Sequence, residues 1–166
     1  MKWPDLTGRR VPPADALYRG VVALAREPGW YEAGEVPDTI DGRFDTVALV
    51  TALVMLRLER EGDPQWPVDI TERFIADMDG SLRQMGIGDP TVGKQVGHMV
   101  SALGGRLGAY RDALAGSAPL GEALERNLYR GTAATPDAVA WTEARVRQLA
   151  ARLDGLGTDR LREGRL

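Results

Sequence analysis

Residues 86–99 read GIGDPTVGKQVGHM, with Gly88 followed after four residues by Gly93-Lys94-Gln95. That spacing is one residue type short of a phosphate-binding loop. In such a loop, glycine N–H groups cradle phosphates, a lysine reaches the outer ones, and a Ser or Thr hydroxyl binds magnesium. The surroundings that this chemistry requires are missing. The preceding segment, ITERFIADMDGSLRQM, has a helical period where a strand should lead in, and Gln95 stands at the hydroxyl position. Pro90 removes one N–H from the cradle, and no later apolar strand ends in an aspartate that would hold the metal. The stretch reads better as a hinge. Gly86 and Gly88 stop one helix, Asp89 caps the next, and Pro90 takes its first position.

Other candidates for chemistry are sparse. Asp77 and Asp79 are two apart, so on a helix they diverge by about 200° and make a poor metal pair. Glu122 and Glu125 share a face, as in helical pyrophosphohydrolases, but a second acidic set nearby in sequence is lacking. His98 is the single histidine; beside Met99 it reads as a hydrogen-bonded structural group on a packed helix. With no cysteine, disulfides, zinc–thiolate sites, iron–sulfur clusters and thiol catalysis drop out together. No catalytic residue, metal site or cofactor is expected, and the chain reads as a non-enzyme. A metal- or nucleotide-dependent helical hydrolase and a dimeric helical scaffold stand as the alternatives.

The elements that must position any site are set off by glycine and proline. Helices are expected over residues 13–26, 42–60, 68–85, 90–115, 119–129 and from 135 onward, the last opening with the cap Thr135-Pro136-Asp137 and fraying into the tail GTDRLREGRL. The apolar run 47–56 marks a buried central helix, and GWYEAGEVPDTIDGRFD reads as an ordered, turn-rich loop. No strand alternation lasts, so the fold class is all-α: one bundle of about six helices. A leader over 1–12, a helical domain over 13–155 and a charged tail over 156–166 complete the expected layout. The formal charge of −3 gives no general attraction to nucleic acid. The start lacks a signal-peptide core, and the ten-residue run 47–56 falls short of the about 20 residues that span a membrane.

One pattern exceeds capping. Gly93, Gly97, Ser101 and Gly105 recur every four residues on the long fourth helix, and each interior glycine costs about 1 kcal/mol relative to alanine. Such a ridge suits a close helix contact, either internal or with a partner.

Taken together, VPDTIDGRFD (residues 36–45), DMDGSLRQMGIGD (77–89) and VGK (92–94) resemble the ubiquinol–cytochrome c chaperone family, and the resemblance extends over about residues 17–131. It implies an assembly factor for the cytochrome bc1 complex that binds newly made cytochrome b. Mitochondrial members work with a small partner protein and contact the ribosome. A chain without a transit peptide looks like the bacterial form, acting in the cytoplasm at the inner face of the inner membrane. The candidate partner surface is the loop 30–45 with the hinge 85–94. Trp30, Tyr31, Phe44 and Met85 would supply apolar contact there, and Asp38, Arg43, Asp89 and Lys94 charge. Phe44 can also serve as a core anchor of the second helix, and Arg43 can pair with Asp41 or Asp45.

Overall fold

The structure is a computed structural model that describes residues 14–86 and 89–166, with nothing said of the side chains of residues 89–93. Its centre is a helix whose middle turns have no exposed side. In α3 (Ile40–Leu58) the residues from Ala48 to Val54 are all buried, as a helix that is apolar all round must be. The Thr39 hydroxyl caps α3 by accepting from the Gly42 N–H at 3.1 Å. A Cβ at Gly42 would lie 1.8 Å from the Pro37 carbonyl oxygen, so only glycine lets the incoming turn close onto the first turn of α3.

Around α3 stand α1 (Asp15–Ala25), α4 (Gln65–Gln84), α5 (Asp89–Leu114) and α7 (Pro136–Asp154), each in contact with it. The outer helices turn single apolar faces inward: Leu17, Val21 and Leu24 on α1, Ile70, Phe74 and Met78 on α4, and Val146, Leu149 and Leu153 on α7. These faces follow the spacing read from the sequence. Thr135 caps α7 as expected, accepting from the Ala138 N–H at 3.2 Å, with Pro136 at the first position. Gly86, at φ 79°, ends the turn after α4, while Ile87 and Gly88 lie outside the described residues. Among the described residues there is no strand, and the fold is an all-α bundle.

Four expectations change. The turn-rich segment contains α2 (Gly29–Glu32), and α3 starts at Ile40 because Thr39 supplies a cap. The fifth helix divides into α6 (Leu120–Leu124) and one π-helical turn (Glu125–Tyr129), closed by Arg130 in the left-handed conformation at φ 50°.

The tail does not fray. It forms α8 (Thr158–Arg162), with Leu161 and Leu166 buried and Arg162 stacked over Trp66 at 5.2 Å. Gly164 at φ 70° crosses the backbone of α1 so closely that a Cβ there would lie 2.1 Å from the Ala16 oxygen. Two leucines and a glycine dock the tail despite its charge.

The glycine ridge is not an internal crossing either. Nothing lies within 4 Å of a Cβ built at Gly97, Gly104, Gly105 or Gly108, and Ser101 is exposed. Gly93 falls among the residues whose surroundings are not described.

Candidate functional site

Phe44 and Asp45 are consecutive on α3, about 100° apart around its axis, and they open onto different surroundings. The Phe44 side is a groove of about 880 Å³. Val22, Ala25 and Tyr31 form one wall, from α1 and α2. Ile40, Phe44 and Val47 of α3 form the next, and Met78, Leu82 and Met85 the third, on and just after α4. Met99 of α5 closes the groove. Two of the three exposed large apolar residues among those described sit here, Ile40 at 68% and Met85 at 47% exposure. A concave, mostly apolar surface that leaves such side chains in water has the character of a binding site for an apolar partner.

Several polar groups also line the groove, and some of them are already paired. Arg43 Nε donates to Asp38 Oδ1 at 2.7 Å, and this bond holds the Asp38 carboxyl below its usual range. Both groups are exposed, so the pair adds little stability. Asp77 accepts from the Tyr18 hydroxyl at 2.7 Å. Burial, reinforced by that bond, pushes the Tyr18 phenol well above its ordinary range, so it stays a donor.

The Asp45 side is closed. Its carboxylate is 1% exposed and accepts from Arg106 Nη2 at 2.7 Å and from Arg130 Nη2 at 2.8 Å; Arg130 Nε lies 2.6 Å from its other oxygen. Arg106 is further tied to the carbonyls of Ala102 and Asn127. Burial pushes the Asp45 carboxyl up, and the two guanidiniums oppose that shift without cancelling it. Both guanidiniums also lie over the Phe44 ring, at 5.8 and 6.0 Å, while the ring packs against Phe74 at 5.8 Å. The ion cluster therefore backs the groove wall.

Of the residues singled out in the sequence, the groove gathers Tyr31, Asp38, Arg43, Phe44 and Met85. Trp30 is instead core, at 1% exposure. Its indole donates to the Leu24 carbonyl at 2.9 Å, and its ring meets Trp141 edge-on at 6.0 Å. Arg43 pairs with Asp38, not with Asp41 or Asp45, because Arg106 and Arg130 claim Asp45. Phe44 is half-buried and serves both as a core contact and as groove wall.

Lys94 is exposed and outside the groove lining, and the Asp89 side chain is not among those described. His98 is exposed, with no hydrogen-bond partner among the described residues, contrary to the packed histidine expected. The segment leading into GIGDP is the helix α4, so no strand precedes the glycines. Among the described residues, no three His, Asp or Glu side chains gather in a way that could hold a metal ion. Sequence reasoning missed the contributions of α1 and Met99, although Met78, Leu82 and Met85 already shared one helix face.

Three comparisons bear on this arrangement. The family model described as ubiquinol-cytochrome C chaperone matches residues 32–166. The crystal structure of the Cbp3 homolog from Brucella abortus is similar, with a TM-score of 0.77 and 32% identity, over 92% of this chain and 86% of that one. No curated protein sequence matches.

Proposed function

The chain belongs to the ubiquinol–cytochrome c chaperone family, and on that premise we propose that it serves assembly of the cytochrome bc1 complex by holding newly made cytochrome b in the groove between α1, α3 and α4. The observation that carries this reading is the groove itself, where Ile40 and Met85 stand exposed at the mouth of an apolar cleft. A chaperone needs a surface of this kind and no catalytic set; its task is to cover apolar surface of a client until other subunits replace it. The place of action is the inner face of a bacterial inner membrane, reached through the client. No helix among the described residues is long and apolar enough to cross a membrane.

Capture of the chain from membranes that are making cytochrome b is expected to recover that subunit, and deleting the gene is expected to lower the amount of assembled bc1 complex. Normal bc1 levels in the deletion strain would overturn the reading.

A further inference from the structure

We propose that the occupant of the groove is an α-helical segment of the client, presenting an apolar face flanked by one acidic and one basic residue. The inference rests on the chaperone reading above and specifies what that site takes.

The walls are mostly faces of α1, α2, α3, α4 and α5, with Asp38 from the loop before α3, and the backbone N–H and C=O groups of the long helices are spent within them. An extended peptide laid there would bring a row of amides with no partners, each costly once removed from water. A helix satisfies its own backbone and can present side chains alone. Met78, Met85 and Met99, of the five methionines in the chain, line the cleft. Flexible thioethers repack around differing apolar shapes, which suits helices of varied sequence better than one rigid small molecule.

The charges supply the rest. Asp38 is already matched by Arg43, and Asp77 by the Tyr18 hydroxyl. Of the charged side chains that line the groove, Arg26 and Glu32 are left with no hydrogen bond or ion pair among the described residues. An occupant that complements the groove therefore carries an acid for Arg26 and a base for Glu32, outside its apolar face.

The chain has no cysteine, so Ser81→Cys in the groove and Ser101→Cys on the open face of α5 each accept a single polarity-sensitive fluorophore. The probe is a synthetic peptide with leucines at helical spacing flanked by one Glu and one Lys, compared with a scrambled peptide of identical composition. The helical peptide is expected to shift the emission at position 81 and not at 101, and the scrambled one to shift neither. Arg26→Glu is expected to weaken binding about tenfold, with recovery when the peptide Glu becomes Lys. Arg26→Gln, which removes the charge without reversing it, gives the same test in a milder form, and circular dichroism checks that each variant is folded.

Equal binding of the scrambled peptide, or no binding of either, overturns the helix assignment. So does a shift at position 81 caused by phosphatidylglycerol vesicles alone, which assigns the groove to lipid. A concentration-dependent shift of the protein alone assigns it to a second copy and overturns the proposal equally. None of these results touches the bc1 level of the deletion strain, which tests the broader reading separately.

Discussion

Phe44 and Asp45 divide the molecule into two kinds of surface built on the same turn of α3. Around Asp45, two arginines from distant elements pair with a buried carboxylate, and one of them, Arg106, is itself tied to backbone carbonyls. Around Phe44, apolar side chains from four helices and α2 leave a cleft that nothing among the described residues fills. Broken pairing on the first side leaves a buried charge, whereas changes on the second leave a cleft that was already in water. On the proposed reading, stability and binding reside on adjacent residues, and substitutions can separate them.

The largest expected effect follows Asp45→Ala. It leaves the Arg106 guanidinium buried without its counter-ion and should destabilise the fold by about 3–5 kcal/mol, read as a shift in the urea midpoint. Gly42→Ala comes next. Its Cβ would meet the Pro37 carbonyl, and relief of that overlap should cost about 1–3 kcal/mol while displacing the turn that carries Asp38. An unchanged melting temperature in either variant would break the contrast on its stable side.

Gly97→Ala should act in the opposite direction. Its Cβ enters open space on α5, so helix propensity alone should stabilise the fold by up to about 1 kcal/mol. A loss of stability there would mean that the ridge is in contact after all. The smallest expected effect on folding belongs to Ile40→Ser combined with Met85→Ser. Both positions are exposed, so stability should stay within about 0.5 kcal/mol for each change. Recovery of cytochrome b by the same variant should fall sharply, and undiminished recovery would separate the groove from the client.

Local signals in the sequence suffice where local chemistry decides. The cap at Thr135, the stop at Gly86 and the inward faces of α1, α4 and α7 all follow from short-range rules. The site was legible in part: Tyr31, Phe44 and Met85 belong to segments whose composition marked them, and the fold brings them together. What escaped depends on contacts across long separations. Asp45 finds Arg106 61 residues away and Arg130 85 residues away, and no spacing rule links three such positions. Trp30 looked like a loop aromatic until α7 placed Trp141 against it. The glycines of α5 show the converse: their period announced a contact face, but only the packed bundle shows that the face points outward. In the tail, two leucines and a glycine crossing outweigh the charge count from which fraying is expected.

The most direct measurement of the central claim is photocrosslinking in cells from a photoreactive amino acid (a benzophenone side chain) placed singly at position 40, on the groove mouth, or at position 105, on the open face of α5. In cells making cytochrome b, position 40 is expected to capture that subunit and position 105 to capture much less. Capture from 105 with none from 40 would contradict the account, since the client would then lie on the glycine face and leave the groove empty.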